Sequence, residues 1–370
     1  MHVPDGFINA PVSVGAGVVA AGAVAVSLRG ARRELGGTSH AEGHGGERTA
    51  PLAGLVAAFI FAVQMLNFPV AVGTSGHLLG GALAAILVGP YTGVLCLSVV
   101  LLMQGILFAD GGLTALGVNI TVMGVVTVVV AYALFRGLVR VLPRGRRAIA
   151  AASFAAALIS VPAAATVFTV IYAIGGTTDV PVGKVLTAMV GVHVLIGIGE
   201  ALITMLTVGA VVAVRPDLVH GARGLAAPLK LRVGGELVDA PVAARPVPVA
   251  ALPHSLRRGR YPHPRAVWAT GLVTALVLAG FGSFYASSSP DGLEKVAADK
   301  GIDRHVEEHA AKDSPLADYG VKDISDARLS GGLAGVIGVG VTVVAGTGIV
   351  WSVRRRRTTH ADPTRVPEAV

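Results

Sequence analysis

Leu186-Thr-Ala-Met-Val-Gly-Val-His-Val-Leu-Ile-Gly-Ile-Gly-Glu-Ala-Leu-Ile-Thr-Met-Leu-Thr-Val-Gly-Ala-Val-Val-Ala213 is a run of 28 residues with one formal charge, Glu200. A helix needs about 20 apolar residues to cross the ~30 Å hydrocarbon core of a bilayer, so this run is long enough to span it. It is the seventh of nine such runs, at residues 9–28, 51–72, 77–89, 91–109, 113–135, 149–174, 186–213, 266–285 and 331–352. The third, from His77 to Gly89, is too short to cross comfortably as a helix. Gly76, Gly80 and Gly81 fit a broken or tilted segment there. Of 370 residues, 53% are hydrophobic and 14% charged, against about 25% charged in soluble domains. A soluble domain is excluded, and so is disorder over most of the length. The fold class is all-α: a polytopic membrane bundle of about seven helices, plus a two-helix C-terminal module with an extracytoplasmic loop. Cys96 is the single cysteine and lies in an apolar run, which excludes a disulfide framework and a cysteine-based metal site.

The net charge of +8 does not point to nucleic acid, because the arginines gather at the ends of apolar runs. Arg29, Arg32, Arg33 and Arg48 follow the first run. Arg136, Arg140, Arg144, Arg146 and Arg147 follow the fifth, and Arg354–Arg357 follow the ninth. The alternate loops 73–76, 110–112 and 175–185 hold only Lys184. Basic loops stay in the cytoplasm, which predicts an extracytoplasmic N-terminus and a cytoplasmic C-terminus in a multi-pass cell-membrane protein. Nine crossings agree with that assignment. A secretory signal peptide would carry basic residues before its apolar stretch, whereas the first arginine here follows it, so run one reads as a retained helix. The expected organisation is a membrane domain over 1–213, a linker over 214–265, a two-helix module over 266–352 and a basic cytoplasmic tail over 353–370. The linker holds eight prolines between Pro216 and Pro264. Its basic end suits lipid headgroups. Segment 286–329 carries ten acids and six bases and falls on the side from which a cation arrives.

The chain opens Met1-His2-Val3-Pro4-Asp5-Gly6. The Met1 α-amine and the His2 amide nitrogen close a five-membered ring on a metal ion. The same amide and His2 Nδ1 close a six-membered ring, so three nitrogens lie in one plane. A fourth nitrogen completes a square, a geometry that favours Ni(II) or Cu(II). Ligands must be deprotonated, so binding weakens as pH falls. Many proteins begin Met-His by chance, and the motif alone is weak. His77, in Gly73-Thr-Ser-Gly-His-Leu-Leu-Gly-Gly81 on the same side, is the candidate fourth ligand. Its competing reading is a helix-start histidine among packing glycines. A ligating histidine needs a partner on its other ring nitrogen, and Asn67, Thr74 and Ser75 are candidates.

His193 and Glu200 lie seven residues apart on one face of the seventh run. They read either as a cation-binding pair or as a buried polar pair fixing helix register. Gln64, Gln104 and Asn119 suit interhelical hydrogen bonds. His40 and His44 read as flexible linker, and His305 and His309 as part of a solvated charged helix rather than a zinc-type site. No P-loop motif is present in the sequence, so ATP hydrolysis by that machinery is not expected of this chain.

Met1-His-Val-Pro-Asp-Gly-Phe-Ile8 resembles the opening of the membrane substrate-capture subunit of cobalt/nickel energy-coupling-factor transporters, the CbiM/NikM family. Gln64-Met-Leu-Asn-Phe-Pro69, Gly73-Thr-Ser-Gly-His-Leu-Leu-Gly80 and Gly197-Ile-Gly-Glu200 through Thr204 are similar to further motifs of that family. Ser287-Ser-Ser-Pro-Asp-Gly-Leu-Glu-Lys-Val296 and Ser314-Pro-Leu-Ala-Asp-Tyr-Gly-Val321 resemble the PDGLE domain, a counterpart of the small accessory subunit of these transporters. The resemblance implies Co2+ or Ni2+ as transported substrate, held by the Met1 amine, the His2 amide and imidazole, and His77. It also implies a separate transmembrane coupling subunit and cytoplasmic ATPase subunits as partners, with no catalysis on this chain. The competing readings are a stand-alone secondary cation transporter or channel, which needs buried charges near the midplane, and a membrane scaffold or sensor.

Overall fold

Long apolar helices dominate the computed structural model, which describes residues 1–36, 49–143, 145–222, 230–233, 236–239 and 264–355. Among the described residues, seven helices are long and apolar enough to cross a membrane. They are α1 (Ala10–Gly36), α4 (Pro90–Leu107), a rod made of α5 (Leu116–Asn119) and α6 (Thr127–Val141), then α7 (Arg146–Gly175), α8 (Val182–Val214), α9 (Pro264–Gly280) and α11 (Ala327–Arg355). The rod from α5 to α6 is continuous through a π-helical stretch, Ile120–Val126. Helix α2 (Thr49–Gln64) is shorter.

The third run is broken, as its glycines suggest. Residues 77–80 are non-helical, and α3 (Gly81–Val88) is only eight residues long. Gly80 carries the turn between them at φ +87°, in the left-handed region that favours glycine. Non-helical backbone at membrane depth is tolerated only where protein satisfies it. Here every residue of α3 is buried. The Leu79 and Gly80 amides donate to Glu200 of α8, and Gln64 Nε2 donates to the Leu79 carbonyl.

Several expected boundaries shift. The second run does not stay helical to residue 72. It stops at Gln64, and Phe68–Ala71 forms strand β1, antiparallel to β2 (Thr74–Gly76). Pro69, which has no amide proton, suits this edge strand and not a helix interior. Arg136 and Arg140 lie on α6, not in a loop, where long side chains can bring their charges to the helix end. Arg146 and Arg147 open α7. Within 214–265, strands β3 (Lys230–Val233) and β4 (Glu236–Asp239) pair as a hairpin. His305 closes a 3-10 turn (Asp303–His305) and residues 306–309 are not helical, so the charged helix expected through His309 does not form. His40 and His44 lie outside the described residues.

The start of α1 and the ends of α2, α4, α7 and α9 gather at one end of the bundle. Asn9 N donates to the Gly175 carbonyl, Ser287 N to Asn67, and Asp318 N to Phe108. The opposite end is marked by Glu34, near the end of α1, which accepts from Tyr91 N and Thr92 N at the start of α4. One apolar core is built mainly from α2, α3 and α4 with the helices around them. A second lies at the gathered end. There Met1, Val3, Phe7 and Ile8 pack with Leu79, Val118, Phe168, Met189 and the C-terminal Leu293 and Val296.

Candidate metal centre

The N-terminal arm, residues 1–9, is held along its length by backbone and side-chain bonds. Val3 N donates to Asn119 Oδ1 at 2.8 Å, and Asn119 Nδ2 returns a bond to the Val3 carbonyl at 3.0 Å. Asp5 Oδ1 accepts from the Thr114 amide and hydroxyl. Gly112 N donates to the Val3 carbonyl and Thr177 N to Phe7. A Cβ on Gly112 would collide with the backbone nitrogen of Asp5, so glycine is needed for this close approach. These contacts leave the first two residues in a fixed place.

The Met1 α-amine is buried 2.6 Å from His77 Nε2 and 2.6 Å from Asp291 Oδ2. His77 Nδ1 lies 3.0 Å from the Leu78 carbonyl. That contact puts the ring proton on Nδ1 and leaves the Nε2 lone pair facing the amine. The His2 and His77 rings stack, with centroids 5.0 Å apart and planes 19° from parallel. His2 Nδ1 is 3.1 Å from Asp110 Oδ1, and its Nε2 is 3.2 Å from Gln104 Oε1. The Tyr319 hydroxyl donates to the other Asp110 oxygen at 2.6 Å and accepts from Gln104 Nε2 at 2.9 Å. His2, His77 and Asp291 each offer a ligand atom, all within 4.8 Å of one another. They border a cavity of about 660 Å³ that Asn67, Phe108, Asp110 and Tyr319 also line.

Electrostatics keeps the His2 ring available. Burial pushes the His2 imidazole down to about 4, against the upward pull of Asp110, so at neutral pH the ring carries a lone pair. Burial alone would raise the Asp291 carboxyl, but the N-terminal ammonium and His77 hold it well below the usual carboxylate range. Burial, reinforced by Asp110, raises the Tyr319 phenol well above its ordinary value. Amine and imidazole nitrogens beside an ionised carboxylate form a mixed N/O donor set of the kind first-row transition metals accept.

The structure brings Met1, His2 and His77 together. It does not place Asn67, Thr74 or Ser75 on the His77 ring. The Asn67 carbonyl holds Ser287, and Ser75 binds the Ser289 and Pro290 carbonyls. Thr74 is buried in β2. His193 and Glu200 are buried, but no bond joins them. His193 Nδ1 meets the Met189 carbonyl of its own helix, and its Nε2 has no partner among the described residues. Asn119 bonds the N-terminal arm rather than another helix. His305 Nδ1 meets the Thr177 carbonyl and His309 Nε2 the Gly111 carbonyl. Sequence reasoning missed Asp291 and Asp110. For Asp291 a signal existed: Asp291-Gly-Leu-Glu294 is a capping-box pattern, which fixes an aspartate at a helix start.

Comparison with known proteins gives two family matches. The family described as the CbiM cobalt uptake substrate-specific transmembrane region matches residues 2–218, and the PDGLE domain matches residues 265–355. A protein of Archaeoglobus fulgidus, provisionally named a fused nickel transport protein NikMN, is 38% identical over 249 residues, covering 67% of this chain and 76% of its own length. A protein of Haloquadratum walsbyi, provisionally named a metal transport protein, is 40% identical over 223 residues, covering 59% of this chain and 93% of its own. A crystal structure titled as a transition metal transporter superposes with a TM-score of 0.48 at 25% identity, covering 58% of this chain and 93% of that one.

Proposed function

We propose that this chain, which belongs to the CbiM family of cobalt-uptake transmembrane proteins and carries a PDGLE domain behind it, is the substrate-binding membrane subunit of an ATP-driven energy-coupling-factor importer. Its cargo is Co2+ or Ni2+, the metals in the names of its relatives. The chain does no catalysis. Partner ATPase subunits hydrolyse ATP, and a transmembrane coupling subunit transmits the motion. The gathered helix ends face outward and the arginine-rich ends face the cytoplasm, in line with the basic-loop rule.

One observation carries the reading: the α-amine of Met1 lies within 2.6 Å of His77 Nε2, with the His2 ring stacked alongside. The amine, the His2 amide and imidazole, and His77 supply up to four nitrogens. Binding displaces protons from the amine and the amide. His2 Nδ1 must exchange Asp110 for the ion, which makes Asp110 a partner that holds the ring in place before loading. The His77 tautomer is already set by Leu78, so no reorganisation is needed at that ligand.

Isothermal titration of the full chain with Ni(II) and Co(II) tests this. With an authentic Met1 amine the protein binds tightly. A Gly-Ser extension before Met1, His2→Ala or His77→Ala each weakens binding by at least about 100-fold, beyond what loss of a supporting partner costs. An extended protein that binds as tightly as the authentic one would sink the proposal.

A further inference from the structure

A divalent cation leaving water for a buried site needs compensating negative charge. The amine and both imidazoles are neutral when they bind, and the deprotonated His2 amide supplies only one negative charge against the two of the ion. Asp291 is the carboxylate that touches both the amine and His77. Its Oδ2 lies 2.6 Å from the Met1 nitrogen and 3.4 Å from His77 Nε2, and its side chain is only 10% exposed.

Its aim is fixed by local structure. Asp291 is the N-cap of α10 (Gly292–Lys300), and its Oδ1 accepts from Leu293 N at 2.7 Å and Glu294 N at 2.9 Å. Glu294 returns a bond to the Asp291 amide. One oxygen is thus committed to the helix while the other points at the amine. The segment before it is clamped beside His77. Ser75 N donates to the Pro290 carbonyl at 2.9 Å, and Ser75 Oγ donates to Ser289 at 2.7 Å. An N/O donor set suits Ni(II) as well as an all-nitrogen one.

We propose that Asp291 Oδ2 is a direct ligand of the transported ion, supplied by the PDGLE domain to a site otherwise built from the N-terminal arm and His77. The inference rests on the reading of Met1, His2 and His77 as the capture site. It gives the C-terminal domain a chemical role in capture: a carboxylate ligand arrives from a segment about 290 residues away in sequence.

The alternative role for Asp291, pairing with the ammonium alone, has the opposite consequence. A carboxylate that only stabilises the protonated amine competes with the ion, so removing it tightens binding. The test is Asp291→Asn in the full chain with an authentic Met1. Asparagine is an equally good N-cap, so α10 keeps its start. Expected is a fall in Ni(II) affinity of more than about 100-fold, beyond what loss of a supporting partner costs, with a displaced visible absorption band in the Co(II)-loaded protein. Asp326→Asn, an acidic cap in the same domain away from the site, leaves both readings unchanged. Unchanged or tighter affinity in Asp291→Asn with an unshifted Co(II) band overturns the proposal and leaves the capture site standing. An equal loss in Asp326→Asn also overturns it, by showing a general effect on the domain. Failure of the wild-type chain to bind either metal overturns the site reading beneath it as well.

Discussion

Two buried carboxylates bind the starts of helices, Glu200 from the middle of α8 and Asp291 as the cap of its own helix, and they use their oxygens differently. Glu200 reaches from α8 across to the start of α3 and accepts from Leu79 N at 2.5 Å and Gly80 N at 3.0 Å. Both of its oxygens are taken by backbone. Asp291 caps its own helix with one oxygen and leaves the other against the Met1 amine. An acid with both oxygens on amides positions chain. An acid with a spare oxygen beside an amine and an imidazole is open to a cation. Because Leu79 follows His77 by two residues, Glu200 orients the segment that carries His77 without touching the His77 ring.

The largest effect expected from this contrast is that of Glu200→Ala. It leaves two buried amides without an acceptor, each costing about 1–3 kcal/mol, so the folded protein loses about 2–6 kcal/mol. Thermal unfolding in detergent reads that loss, and metal affinity falls with it as the segment from His77 to Gly80 loosens. Glu200→Gln keeps one acceptor oxygen and recovers part of the stability. Wild-type unfolding and wild-type affinity in Glu200→Ala would erase the distinction between the two acids.

The arm offers a second way to sharpen the comparison, through pH. His2 has a folded-state pKa of about 4 against 6.5 for the free group. Between those values the released arm takes up a proton that the docked arm does not. Docking therefore weakens as pH falls from 6.5 to 4, and is insensitive to His2 above and below that window. At pH 5 the loss is about 2 kcal/mol, or 1.5 units at about 1.4 kcal/mol each. Hydrogen exchange at Val3 and Gly112, whose amides bond Asn119 and the Val3 carbonyl, should quicken between pH 7 and pH 5. The Leu79 and Gly80 amides should not follow. Equal quickening at both places would mean that arm and bundle open as one unit.

The contrast also marks what could be read from sequence. The long spans were legible because twenty or more apolar residues in a row have few other uses, and the break after His77 was legible from its glycines. The helix end at Gln64 was not, because Phe68–Ala71 is as apolar as a helix and differs only in pairing with Thr74–Gly76. Met1, His2 and His77 were legible as candidates because chelate ring sizes follow from the covalent chain. Asp291 was one acid among ten in its segment. Nothing local says that its free oxygen meets the first residue of the chain. Asp110 was hidden for the same reason. His193 and Glu200 are buried, as a polar pair on one helix face should be, but helical spacing gives a shared face and not a partner, and the partners of Glu200 lie some 120 residues upstream.

The smallest expected effect comes from the third acidic cap, Asp326, whose Oδ1 accepts from Arg328 N and Leu329 N at 2.9 Å each, at an exposed site. It opens α11 as Asp291 opens α10, but no amine or imidazole faces its other oxygen among the described residues. Asp326→Ala should cost about 1 kcal/mol, the usual price of an N-cap, and less if water replaces the cap at this exposed end. Metal affinity should stay within about twofold of wild type, since that change corresponds to only about 0.4 kcal/mol. Paired titrations of Asp326→Ala and Asp291→Ala then isolate the spare oxygen, because both lose a cap and only one loses a group at the candidate metal centre. If the two variants lose affinity alike, capping itself accounts for the effect, and the difference between the acids lies in burial and not in chemistry.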